Sequence, residues 1–443
     1  LPKRPYGLLT NGKFLAEMRH DRADEEGDWH WRKLLAKGTP LSGFSEVKAL
    51  WIYQPKEQKL YARFENGVAP STLKLSFLKS KDALLTISRA SGVIIKGLTF
   101  AHGFTAIEMT EGATQAKIQN CKITSYESTG IEITDGASHC TIEFCTLTRG
   151  ALEEWQPSQS NNKPNYEIWR IHKDVGNYDR VGINLFRAGR GNRILNNHLD
   201  RVFDGICVGD YKTESLDDPA GDPEHGRGTE IAGNVIENTR DSGIELGTAC
   251  IDVNVHHNTL RRTHGGLRFK VPRTGPVFIH HNRLINSAPF NIWFSMDASP
   301  AEGYVYHNTI VSEGGRSAVE YSSFKKTRDT ASPNWHFLNN LVLSKEGFFD
   351  RSGKTPAADF KAAHNIVTGK SPPWPDDAAR DPGSRYEVTI MHDPEGRPEA
   401  GSAAMDAGLD LSTYRHGKAL PGCESGYFKG QAPDAGVDEA AVK

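Results

Sequence analysis

From about residue 86 the chain repeats one pattern of apolar and polar positions roughly every two dozen residues. Eight segments carry it: AIEM at 106–109, GIEIT at 130–134, GINLF at 182–186, GICVG at 205–209, GIELG at 243–247, GLRFK at 266–270, NIWFS at 291–295 and AVEYS at 318–322. Alternation over so few residues predicts short strands with one face in a core. Ile107, Ile131, Ile183, Ile206, Ile244, Leu267, Ile292 and Val319 then point inward. The next residue of each segment points out, so stacked coils place Glu108, Glu132, Asn184, Cys207, Glu245, Arg268, Trp293 and Glu320 in one outer column.

A second element separates these strands. Asparagine lies beside an apolar pair in QNCKI (Asn120), NNHL (Asn197), GNVI (Asn234), HNTL (Asn258), HNRL (Asn282), HNTI (Asn308) and NNLV (Asn340). From Asn234 the intervals are 24, 24, 26 and 32 residues, and Asn365 in HNIV follows after 25. Leu98 and Phe144 mark equivalent turns without the amide. Asparagine tolerates tight turns, and its amide can bond backbone groups and the next asparagine along a stack, so the series predicts a structural ladder. Self-similarity at this period is the mark of a solenoid, here an all-β, single-stranded right-handed parallel β-helix.

The ends do not repeat. Residues 1–85, with Trp29, Trp31 and the strand-like WIYQPKEQKLYARF, are expected to cap the first coil; 86–370 form the helix; 371–443, rich in Pro, Gly, Asp and Ala, are expected to pack back on it as loops. Insertions interrupt the coils at about 150–180 and 210–228. The first holds Trp155, Tyr166, Trp169 and Tyr178 and reads either as a cleft wall or as a loop packed by its own aromatics. The second, with Asp217, Asp218, Asp222 and Glu224, reads as a solvated acidic loop more than a calcium loop.

Composition narrows the class. Among 443 residues, 53 Lys and Arg balance 55 Asp and Glu, which argues against a nucleic-acid binder relying on bulk positive charge. No run of about 18 apolar residues predicts a membrane-spanning helix, and no signal-peptide pattern opens at Leu1. None of the six cysteines forms a CxxC pair, so no zinc site is expected. Cys121 and Cys145, 24 residues apart, either stack as buried thiols or pair as a disulfide. His256, His257, His280, His281 and His307 read as coil-wall residues rather than metal ligands.

The repeat, with WIYQPKEQKLYARFENGVAP, GVIIKGLTF, GYVYHNTIV, WHFLNNLVL and GSAAMDAGLDL, resembles bacterial polysaccharide-active proteins of the pectate-lyase-like superfamily from about residue 50 to 440. The resemblance implies a secreted or periplasmic carbohydrate-active protein, monomeric, without membrane insertion or nucleic-acid partner. Within it, GIELGTACIDVNVHHNTLRRTHGGLRF is similar in layout to the alginate lyase and chondroitinase B family. There Glu245 matches a calcium-binding acidic strand and Arg268 the arginine of the next strand. Where that family carries its catalytic lysine, this chain has Gly247, Thr248, Ala249 and Cys250, and the nearest lysine is Lys270.

The residues alone point to the same coils. Asp204 and Asp210, then Asp241 and Glu245, then His264, Arg268, Lys270 and Arg273 follow on successive coils, and Arg187 and Arg190 precede them. Elimination from a uronate needs a base for the α-proton and a cation on the carboxylate. Lys270 is the candidate base, its neutral form favoured by Arg268; Arg268 is the candidate cation; Glu245, Asp241 and Asp210 could hold Ca²⁺. His264 completes the catalytic set, and Trp293, Arg273, Arg187 and Asp204 are candidate contacts to an acidic polysaccharide. Hydrolysis would instead use Glu245 with Asp241, Asp210 or Asp204 as a carboxylate pair. A non-catalytic glycan-binding β-helix is the third reading. Glu245 and Arg268 could also be a plain charge pair across adjacent strands.

Overall fold

The computed structural model describes residues 5–17, 49–54, 57–64, 69–149, 180–209, 225–247, 250–269, 275–287, 290–294, 302–313, 317–321, 334–349, 361–370 and 381–437. These residues build three long parallel sheets of nine, ten and ten strands. The first sheet runs from Ala83–Ser88 to Val319–Tyr321, the second from Ile94–Lys96 to Lys361–Ala363, and the third from Thr99–Ala101 to Ile366–Val367. Each coil gives one strand to each sheet, so the fold is the expected right-handed parallel β-helix. Ahead of it, Gly7–Thr10, Lys13–Phe14 and Leu75–Leu78 form a small sheet, as do Ala16–Glu17, Ala49–Gln54 and Lys59–Phe64, around a separate core of Leu8, Leu15, Trp51 and Tyr53.

The register follows the apolar pattern. Ile107, Ile131, Ile183, Ile206, Ile244, Leu267, Ile292 and Val319 pair coil to coil and are essentially fully buried. The glycine before several of these residues has a steric cause. A Cβ on Gly205 would stand 2.2 Å from the carbonyl oxygen of Gly243 on the next coil, and one on Gly130 would stand 2.5 Å from that of Gly182. The coils are too close there for any side chain.

The asparagine ladder is a continuous hydrogen-bonded line. From Asn197 through Asn234, Asn258, Asn282, Asn308 and Asn340 to Asn365, each Oδ1 accepts both the backbone N–H and the Nδ2–H of the rung before it, at 2.9–3.1 Å. Ser384 Oγ takes over after Asn365, accepting its N–H at 2.9 Å. At the other end the frame read from the sequence is displaced by one. The rung before Asn197 is Cys145, whose N–H donates to Asn197 Oδ1 at 2.9 Å, and Cys121 precedes it. Asn120 and Phe144 occupy the adjacent left-handed turn position, φ 50° and 54°, shared by Asn196, His257, His281 and His307. Asparagine suits both places, which is why the sequence alone misassigned Asn120. All six cysteines are buried; Cys121 and Cys145 stack as thiols, the Cys121 N–H reaching Cys145 Sγ at 3.4 Å.

The tail, 381–437, lies along the outer faces of the second and third sheets. It covers Phe278, Tyr304, Tyr306 and Leu338 with Leu411, Leu420 and Cys423, and Ile285, Val311, Leu341 and Leu343 with Ile390, Ala404 and Ala407. Among the described residues no helix is long and apolar enough to cross a membrane.

Candidate functional site

Adjacent coils bring Glu245, Arg268 and Trp293 into direct register on the outer side of the first sheet. Arg268 Nη1 lies 3.2 Å from Glu245 Oε2 and 3.3 Å from Asp241 Oδ1. Its guanidinium stacks on the Trp293 ring, 4.0 Å from the centroid. Ser242 Oγ donates to Glu245 Oε2 at 3.0 Å, and the Ser242 N–H donates to Asp204 Oδ1 at 3.0 Å. His264 meets the edge of Trp293, with ring centroids 6.3 Å apart. The structure therefore gathers Asp204, Asp241, Glu245, His264, Arg268 and Trp293 at neighbouring positions of four coils.

This face is far less open than strand alternation suggests. The Arg268 side chain is 13% exposed, and Asp241, Glu245 and Trp293 are buried. Mutual cover contributes: the guanidinium lies over the indole face and both carboxylates meet it. Trp293 accordingly offers no free ring face on the Arg268 side for a sugar. Arg187 follows the end of its strand, Val181–Phe186, about 10 Å along the strand direction past Asn184, the residue in register with Cys207, Glu245 and Arg268 on the next three coils. Lys270, Arg273 and Asp210 lie outside the described residues, as do the aromatic and acidic residues singled out in the two insertions.

Among the described residues no group of three His, Cys, Asp or Glu could hold a metal ion. Glu245 Oε2 is engaged by the Ser242 hydroxyl and the Arg268 guanidinium, and Asp210, a further candidate calcium ligand, lies outside the described residues.

Ser242 is a member that pattern reading missed. It precedes the Gly–Ile pair of its strand and resembles a filler, but it links Asp204 to Glu245. A second charged group was also missed. Arg149 and Arg180 both bind Glu127, at 3.5 and 2.9 Å, with Arg149 and Glu127 wholly buried. Arg149 and Arg180 flank the insertion, so no local spacing could have announced the contact. Burial, assisted by Asp204, pushes the neighbouring Tyr126 hydroxyl well above its ordinary pKa. Further up the same column Glu132 is shifted upward by burial and by Glu108 one coil away, while the Asn184 amide donates to it at 3.3 Å.

The family model described as a right handed beta helix region matches residues 74–269, which bears out the resemblance to the superfamily at the level of the fold. No curated protein matches the sequence. Among solved structures the chain is similar to pectate lyase Pel9A (15% identity, 79% of this chain and 73% of that one, TM-score 0.37). It is similar to XylC in complex with xylose (15% identity, 82% and 56%, TM-score 0.44). It is also similar to a tailspike protein of E. coli bacteriophage HK620 in complex with a pentasaccharide (14% identity, 69% and 56%, TM-score 0.38). The chain thus spans little more than half of the latter two, and likeness at this level concerns the fold alone.

Proposed function

We propose that this chain is a carbohydrate-active β-helix that cleaves a uronate-containing polysaccharide by β-elimination, with the Asp241–Glu245–Arg268–Trp293 group as its centre. The observation that supports this reading is the fixed guanidinium. Arg268 is held from two sides by carboxylates and from a third by an indole, so its charge is positioned in advance rather than ordered at the moment of reaction. For elimination a uronate carboxylate has to reach the guanidinium beside Asp241 and Glu245 and share its charge with them, and the cation then meets the negative charge that develops as the α-proton leaves. Arginine is too basic to take that proton, so the scheme needs another base. Lys270, two residues further along the chain, is the proposed one.

The same contacts weigh against hydrolysis. Asp241 and Glu245 both turn their oxygens to one nitrogen of Arg268, and neither is exposed for protonating a leaving group. The depth of burial favours a second reading, a glycan-binding β-helix in which the group is structural.

Incubation with a panel of acidic polysaccharides tests these readings. Elimination gives an absorbance rise near 235 nm from the unsaturated uronate, and Lys270→Met should lower that rate by about 10²–10⁴. New reducing ends without absorbance would replace elimination by hydrolysis. Binding without either product would assign the chain to the non-catalytic class.

A further inference from the structure

The wall of the late coils carries a column of imidazoles. His257, His281 and His307 stack at 5.1 Å intervals, and beside them His256, His280 and Tyr306 stack at 5.0 and 4.8 Å. The C-terminal tail lies directly on this column. Tyr306 donates its hydroxyl proton to the Pro421 carbonyl at 2.7 Å. Gly422 backs so closely on His280 that a Cβ there would stand 3.1 Å from Cε1. Tyr427 sets its ring edge-on to His307 at 5.7 Å. Two further histidines hold the tail: His336 Nδ1 meets the Tyr414 hydroxyl at 2.9 Å, and His364 Nδ1 meets the Ala407 carbonyl at 3.1 Å.

His307 is placed so that only its neutral form fits. Asn339 binds Leu409 of the tail twice, accepting its N–H at Oδ1 and donating Nδ2–H to its carbonyl, both at 2.8 Å. Those two bonds fix which end of the amide is nitrogen. Nδ2 then lies 3.1 Å from His307 Nε2, which must be the acceptor. The proton of the neutral ring is then on the other nitrogen. A proton on Nε2 would set donor against donor, and turning the Asn339 amide to receive it would forfeit both bonds to Leu409.

We propose that His307 is a proton-operated latch for the C-terminal tail: the tail is docked on the wall while the ring is neutral and is released when the ring is protonated.

The surroundings reinforce the sign. His281 faces His307 from the preceding coil, with His280, His257 and His256 beyond it, so further protonation adds repulsion. From the tail, Tyr427 presents a ring edge, and an Asp434 carboxylate oxygen accepts the Asp406 N–H. Near His336 stand Lys361, Glu302 and His416, and Glu302 pairs with Arg415 and His416 of the tail. Burial holds His307 and His336 down to about 4, and His281 to about 2, from an ordinary 6.5. The docked state therefore binds fewer protons than the released one. Docking is complete above about pH 6.5 and weakens as pH falls toward 4. For His307 alone, the shift from 6.5 to about 4 changes the docked-to-released ratio by roughly thirtyfold between pH 7.5 and 5.0.

Hydrogen exchange of the full chain, corrected for intrinsic rates, tests the latch. Peptides within 404–437 should lose protection by thirtyfold or more at pH 5.0 relative to 7.5, while peptides within 183–208 stay as they were. His307→Gln keeps a neutral amide that does not titrate and should reduce the difference by roughly thirtyfold, leaving the part carried by His336 at Tyr414. Equal tail protection at both pH values would overturn the proposal. So would a His307→Gln variant with the full pH dependence. Should His307→Gln fail to fold, the ring can be titrated by NMR in the native chain, where a pKa near 6.5 would overturn the latch and one below 5 would support it.

Discussion

Strands Lys117–Gln119 and Lys122–Thr124, in the early coils, bury one residue of three, whereas Gly303–Tyr306 and Thr309–Ser312, in the late coils, bury all four. The inner halves of these strands are alike: Ile118, Ile123, Val305 and Ile310 are all fully buried. What differs is the outside. The early coils meet water with Lys117 and Lys122, and the late ones meet the tail with Tyr304, Tyr306 and Val311. One core pattern can thus be finished in two ways. A parallel strand wet on one face reads as alternating, and one covered on both reads as a continuous apolar run. The run is the signature of a cover that lies elsewhere in the chain.

The contrast can be broken by mutation. Replacing Arg268 by Ala removes the cation shared by buried Asp241 and Glu245 and should cost about 3–5 kcal/mol. The same change at Arg89, whose pair with Glu111 is exposed, should cost under about 0.5 kcal/mol. Equal shifts in urea denaturation would show that the Arg268 group is not a desolvated one. Along the ladder, Asn282→Ala leaves the buried N–H and Nδ2–H of Asn258 without their acceptor and should cost about 3 kcal/mol. Cys145→Ala removes a weak sulfur acceptor from the Cys121 N–H and a weak S–H donor from the Ile118 and Glu143 carbonyls, and should cost about 1 kcal/mol, read from the same curves. On the outer face, Phe278→Ala, under the tail and stacked on Tyr304, should lose about 3 kcal/mol, against less than about 0.5 kcal/mol for Lys117→Ala.

The smallest effect sharpens the comparison by its sign. Glu132 has a raised pKa in the folded early coils, so its contribution to stability is present at acid pH and lost as pH rises through that value. This is the opposite slope to the late-coil histidines. Glu132→Gln should therefore stabilise slightly at pH 7 and not at pH 4, measured as a shift in the urea midpoint.

Much of this was legible in the chain itself. The eight apolar–polar–apolar segments announced the first sheet with the right residues inward, because period-two alternation has only one way to face a core. The asparagine intervals announced the ladder from Asn197 onward. Two things were not legible. At the early rungs cysteine replaces asparagine while asparagine sits in the turn beside it, so residue identity pointed one position away. At the candidate site, alternation told which side of the sheet Arg268 and Trp293 leave by, but not that they would stack on each other and close the face. That outcome depends on side-chain length and on partners one coil away, which a strand pattern does not encode. Ser242 and the Arg149–Glu127–Arg180 group share this reason: each joins residues that only the stacking of coils makes neighbours.

The line of amides from Asn197 to Asn365 bears on how such a chain can change its size. A rung takes its side-chain bonds from the rungs next to it and from the backbone between them, so any interior rung could be lifted out and its neighbours joined without altering what either one bonds. The solenoid holds no internal ruler. Its natural unit of growth or loss is the whole coil, and intervals of 24, 24, 26, 32 and 25 residues leave the bonding from rung to rung unchanged.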